Sequence, residues 1–177
     1  MNAILKPDTL FFGQRYDEYG NVQTVVAKVG EVDILEGKPL DIIDNTLLYF
    51  GSSLRGAKEG AKAILNNASC PPLLLSKDLD LVLVPSEGYQ SETCIWFILK
   101  YIVYCDQDAS GNGIVVLSDG SRVQINGRRE KMLKKIALAT KLRDFVHNRH
   151  LQFHKPINNP KPYEGKISSN RFALHYE

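Results

Sequence analysis

Residues 41–65 read Asp-Ile-Ile-Asp-Asn-Thr-Leu-Leu-Tyr-Phe-Gly-Ser-Ser-Leu-Arg-Gly-Ala-Lys-Glu-Gly-Ala-Lys-Ala-Ile-Leu. The first ten contain β-branched Ile42, Ile43 and Thr46 and end in the apolar run Leu47–Phe50, which predicts a strand. Gly51-Ser52-Ser53 punctuates. From Leu54 the period changes: Leu54, Ala57, Ala61, Ile64 and Leu65 share one face of a helix. Ser52 or Ser53 is placed to cap its start, and Asn66, Asn67 and Pro71-Pro72 end it. Arg55, Lys58 and Lys62 fall on a narrow second stripe, while Gly56, Gly60 and Ala63 make a face with almost no bulk. Each helical glycine costs about 1 kcal/mol relative to alanine. Close approach of another backbone would offset that cost, either inside the protein core or from a nucleic-acid strand.

Outward from this segment the chain is rich in strands. Val22–Val29, Leu73–Leu75, Leu79–Val84 and Thr93–Tyr104 are β-branched or apolar runs bounded by turn residues. Gly113–Leu117 and Arg122–Ile125 flank Ser118-Asp119-Gly120-Ser121, a hairpin signal in which Gly supplies the positive φ. Arg128 to about Asn148 contains no Gly or Pro and predicts a second helix. The expected class is α+β: a strand-rich single domain over 1–150 with two embedded helices. An irregular tail of residues 151–177, with Pro156, Pro160 and Pro162, follows. Phe172, Leu174 and Tyr176 are candidates to anchor that tail on the body or on another subunit.

Hydrophobic residues are 44% and charged residues 24%, ordinary for a globular chain able to bury a core without staples. No apolar run approaches the roughly 20 residues a membrane span requires, and no secretory leader is visible, so a cytoplasmic protein with no membrane partner is expected. Three cysteines, Cys70, Cys94 and Cys105, without paired spacing predict buried thiols rather than disulfides or a zinc site. Net charge is +2, unevenly spread. Residues 121–177 hold thirteen basic and four acidic groups, +9, and 51–75 hold three and one, +2; the remaining stretches are acidic. A polyanion would be drawn to those two regions, although a solvated basic surface reads the same way.

Arg122, Arg128, Arg129, Lys131, Lys134 and Lys135 crowd the hairpin end and the start of the second helix. Cations at a helix start oppose its dipole, which favours a binding role over a stabilising one. Arg128 or Arg129 would suit a narrow A/T-rich minor groove. Further along, Leu138, Leu142 and Phe145 add a second apolar stripe to that of Met132, Leu133, Ile136 and Ala139. A dimer contact and packing under the tail both fit that pattern.

The segment Tyr49-Phe50-Gly51-Ser52-Ser53-Leu54-Arg55-Gly56-Ala57-Lys58-Glu59-Gly60 resembles the Phe-Phe-Gly-Ser-Ser-x-x-Gly-Arg-Lys-x-Gly signature of the ComK competence transcription factors. Similar features follow in order: Pro71-Pro72, Pro85, Cys94-Ile95-Trp96, Ser118-Asp119-Gly120 and Lys141-Leu142-Arg143-Asp144-Phe145. The likeness covers about residues 40–146, and Ala57 stands where the family has Arg. The resemblance implies a multimeric transcriptional activator of DNA-uptake genes that reads paired A/T-rich boxes through the minor groove, with no cofactor and no enzymatic activity. The candidate DNA contacts are Ser52, Ser53, Arg55, Lys58, Lys62, Arg122, Arg128, Arg129, Lys131, Lys134 and Lys135. The partners expected are A/T-rich double-stranded DNA and further copies of the chain.

Two rival readings stand beside this one. A small enzyme could hold a phosphate-bearing ligand at the Gly51–Ser53 helix start. An interaction module could have kept the fold and lost DNA binding, as the Ala57 departure would allow. His147, His150 and His154 share a spacing that could bind metal, but their surroundings are cationic and no site is assigned. No nucleophile motif is present, and Trp96 is expected in the core rather than on a base-stacking platform.

Overall fold

Asp17 organises the first hairpin turn by accepting hydrogen bonds from the amides of Tyr19 (2.9 Å) and Asn21 (2.8 Å). This turn folds β1 (Thr9–Tyr16) onto β2 (Val22–Lys28), and β2 continues into β3 (Glu31–Glu36). The computed structural model describes residues 3–154, 166–167 and 174–175. Helices α1 (Pro39–Tyr49) and α2 (Leu54–Ile64) come next, then β4 (Leu73–Ser76), β5 (Leu81–Pro85) and β6 (Ile95–Ile98). The six strands form one antiparallel sheet in the order β3-β2-β1-β6-β5-β4. A 3-10 turn, Leu99–Tyr101, leads into a second antiparallel sheet of β7 (Ile102–Gln107), β8 (Asn112–Leu117) and β9 (Arg122–Arg128). Helix α3 (Arg129–Phe153) follows directly. The two-residue strands β10 (Lys166–Ile167) and β11 (Leu174–His175) pair antiparallel; the other tail residues that the sequence reading addresses lie outside the described residues.

From β1 across to β4 the large sheet buries both faces, as the alternation of its strands allows. On one face Phe12, Trp96, Ile98, Leu83 and Leu73 pack with Ile42, Ile43 and Leu47 of α1. Trp96 is 1% exposed and stacks on Phe12, in the core as expected. On the other face Leu10, Val82, Val84 and Phe97 meet Val115, Leu117 and Ile125 of the second sheet and Met132 and Ala139 of α3. Helix α2 joins these layers. Its start, Leu54 and Ala57, packs against the α1 layer. Its end, Ala61 and Leu65, packs with Leu142 of α3, and Leu138, Val146 and Leu74 close around them.

The α+β, strand-rich class is as expected, with four corrections. Residues 41–49 are helix, not strand, so α1 adds a third helix to the two expected. Pro39 stands at its first turn, and Ile42, Ile43, Thr46 and Leu47 lie on one buried side. The β-branched residues survive in the helix because tertiary burial outweighs their propensity, and Thr46 donates its hydroxyl to the Ile42 carbonyl at 2.6 Å. The expected strand Thr93–Tyr104 is broken at Leu99–Tyr101, where the chain leaves one sheet for the other. Strands β1 and β3, absent from the sequence reading, complete the large sheet. The second helix is longer than expected, ending at Phe153.

Candidate nucleic-acid interface

Gly51 adopts φ +78 at the end of α1. Its amide donates to the Leu48 carbonyl at 3.0 Å and that of Ser52 to the Leu47 carbonyl at 2.8 Å. These two bonds are a Schellman cap, which only a residue free to take positive φ closes without strain. One residue later Ser53 is the N-cap of α2, its hydroxyl accepting from the Gly56 amide at 3.1 Å. Phe50-Gly51-Ser52-Ser53 is therefore a four-residue corner that stops one helix and starts the next. The Asp44 carboxylate of α1 accepts from the Leu54 amide at 2.7 Å. Two of the first three amides of α2 are thus taken, and a carboxylate sits at the helix start. Ser52 is exposed and Ser53 half-buried. The opening turn of α2 is thus left with few unpaired amides to offer an anion.

Those side chains lie between two open grooves of about 490 Å³ each, both lined by Lys58 and Lys62. Lys58 is the better fixed of the pair. Its ammonium lies 5.3 Å from the centroid of Tyr89, an attraction to the ring face. Tyr89 packs 4.8 Å from Trp96 and donates its hydroxyl to the Pro71 carbonyl. Burial holds the Tyr89 phenol well above the usual tyrosine range. Sequence reasoning missed Tyr89 as the support of Lys58, because nothing local links positions 31 residues apart. Arg55 is exposed and bonds Glu59 across one turn at 2.9 Å. The glycine face is not packed in the core: Gly56 and Gly60 are exposed, and a Cβ at Gly60 would meet nothing within 4 Å.

The second basic group is split by the fold. Arg122 opens β9 and Arg128 closes it; a bulge lets them pair with Val116 and Asn112 of β8, four residue steps apart, so about 13 Å separates them. Arg122 bonds Asp106 of β7 at 2.8 Å, and this guanidinium holds the Asp106 carboxyl below the usual carboxylate range. Arg129 is half-buried and donates its Nε to the Cys105 carbonyl at 2.7 Å, which pins the start of α3 to the second sheet. Arg128, Lys131 and Lys134 are exposed, and among the described residues they form no ion pair. Lys131 and half-buried Lys135 run in line with Leu138 and Leu142, the residues that touch α2. The flank of α3 that α2 covers thus continues toward the N-terminus as lysine.

Residues 1–150 match the family described as ComK protein. The chain belongs to that family. One relative is the "Competence transcription factor" of Bacillus subtilis (strain 168), 23% identical over 116 residues, which are 63% of this chain and 60% of the relative. The chain thus spans about three fifths of the length of that relative. No solved structure matches it.

In this ComK protein the family-like signature is the α1–α2 corner and the exposed faces of α2. Among the described residues no group of His, Cys, Asp or Glu is arranged to hold a metal. No helix of the described residues is long and apolar enough to cross a membrane. The three cysteines are free; Cys94 and Cys105 are buried and Cys70 is only half-buried, against the expectation for all three.

Proposed function

We propose that this ComK protein is a DNA-binding regulator of transcription. It activates competence genes by binding paired A/T-rich boxes through the minor groove, as a homo-oligomer in the cytoplasm, with no cofactor and no catalysis of its own. The family and the printed name of the B. subtilis relative support the regulatory role. The observation that carries DNA binding is the disposition of α2. It docks by one edge through Ala61 and Leu65, and leaves open both a cationic stripe and a face bare of side chains. Phosphates take Lys58, Lys62, Arg55 and the exposed cations Arg128, Lys131 and Lys134, with Lys135 beside them, while Arg122 and Arg129 mainly hold the scaffold. Backbone contacts of this kind set affinity and register, and groove shape then selects A/T-rich sequence.

A fluorescence-anisotropy titration of the full chain against an A/T-box duplex and a G/C-rich duplex of equal length tests this. Tighter binding to the A/T duplex, weakening linearly in log affinity against log salt, is expected. Absence of binding to either duplex at 50 mM salt or below would leave the interaction-module reading in its place.

A further inference from the structure

An exposed apolar projection stands at the corner between α1 and α2. Leu48, Tyr49 and Phe50 are 58%, 69% and 37% exposed, although α1 has already buried Ile42, Ile43 and Leu47. The two rings meet edge to face, 5.4 Å between centroids and 81° between planes. The backbone beneath them is fixed by the Gly51 cap, so the pair is a rigid aromatic knob rather than a loose loop end. No side chain stands above Gly51, where a Cβ would meet nothing within 4 Å. Arg55, Lys58 and Lys62 follow on the next helix.

This setting discriminates between occupants. In a two-fold contact of identical chains through Tyr49 and Phe50, the stripe Arg55–Lys58–Lys62 would face its own copy, and like charges would oppose the contact. A duplex offers the opposite arrangement, planar bases flanked by phosphates. Resting on the DNA binding proposed above, we infer that Tyr49 and Phe50 form a wedge that enters one base step and stacks on a partly unstacked base. The α2 cations hold the adjoining phosphates.

The test uses the full 177-residue chain and A/T-rich duplexes carrying 2-aminopurine at successive positions. Binding of the unmodified protein raises emission at one or two steps and leaves the others flat. Tyr49→Ala and Phe50→Ala abolish that rise and weaken binding by about 5- to 140-fold, the range expected from loss of one stacked aromatic. Their salt slope stays that of the parent, because no phosphate contact is lost. Tyr49→Trp keeps the emission change. Flat emission at every step, with the unmodified protein bound, overturns the wedge and leaves DNA binding standing. Failure of the unmodified protein to bind any duplex removes both. Altered sedimentation of Tyr49→Ala with unchanged DNA affinity would make the knob a subunit contact and also overturns the wedge.

Discussion

Gly60→Ala separates what the fold needs from what a ligand needs. Gly60 lies inside α2, is exposed, and is not among the residues at positive φ. A methyl group there meets nothing within 4 Å, so the substitution adds no clash. It removes a helix penalty of about 0.8–1.0 kcal/mol. The variant is expected to be more stable, by a rise in Tm of about 2–4 °C and in urea midpoint of roughly 0.3–0.9 M. Gly56→Ala gains less, because its Cβ would stand 3.3 Å from the Ser53 hydroxyl that caps the helix. A duplex lying against the bare face would meet the new methyl at Gly60. Overpacking of about 1–3 kcal/mol would weaken binding by roughly 5- to 140-fold. Urea unfolding and anisotropy titration on the same preparation read both effects. A variant stabilised as expected but binding with the parent's affinity would show that the glycine face points away from DNA. A variant with no gain in stability would refute the helix reasoning itself.

Arg128→Ala combined with Lys131→Ala should flatten the salt slope by about 1.8, or roughly 60-fold in affinity at 0.1 M salt and 20-fold at 0.2 M. An unchanged slope removes these two cations from the interface. Arg129→Ala should lower Tm as well, since it breaks the bond to the Cys105 carbonyl, and Arg128→Ala should not. Ser53→Ala should cost about 1 kcal/mol by uncapping α2, read as a lower urea midpoint. Gly113→Ala should destabilise by about 1–3 kcal/mol, because its Cβ would lie 2.9 Å from Ile125 Cδ1 and 3.5 Å from the Arg129 Cα. Acid should weaken the fold. Asp106 is held below the usual carboxylate range by the Arg122 hydrogen bond and Asp108 by the Asn112 amide. Their stabilisation is complete above the unfolded value near pH 4. It is lost as pH falls through their lower folded values, so the urea midpoint should hold from pH 6 to 5 and drop below 4. Asp106→Asn should remove part of that drop.

Helix α2 was legible because its signals are local. Ser53, the change of period at Leu54 and the closing Asn66-Asn67 all lie within fifteen residues. The β8–β9 hairpin was legible for the same reason: Asp119 and Gly120 make its turn, with Gly120 at φ +86. Helix α1 was not, since Ile42, Ile43 and Thr46 carry strand propensity and only Pro39 and Asp41 mark a helix start. Strand β3 hides its type behind Glu31, Asp33 and Glu36, acidic residues suited to an edge that must not pair further. In the interface, residue type was legible and position was not. Six cations between 122 and 135 look like one patch in the chain, yet an extended strand carries Arg122 away from the rest. Nor could the chain reveal that Asp44 reaches across to the α2 start, because that contact exists only once α1 is helical.

The start of α3 shows why the unneeded charges are the informative ones. Arg128, Arg129 and Lys131 stand where the helix dipole disfavours cations, by about 0.3–1 kcal/mol each. Arg129 has a structural reason to be there, its bond to the Cys105 carbonyl, and its amide approaches the Gly111 carbonyl at 3.3 Å. Burial of Met132, Ala139 and Leu142 holds the helix on the sheet regardless of its first turn. Arg128, Lys131 and Lys134 contribute to neither: they are exposed and unpaired among the described residues, and the first two also oppose the helix dipole. The same holds for Gly60 of α2, which weakens a helix without packing against anything. Both features oppose the fold in the same sense that an approaching polyanion would reward, one through charge and the other through access to backbone. Lys131 lies three turns, about 16 Å, along α3 from Leu142, where α2 packs, and a ligand that used both features would have to span that length of helix.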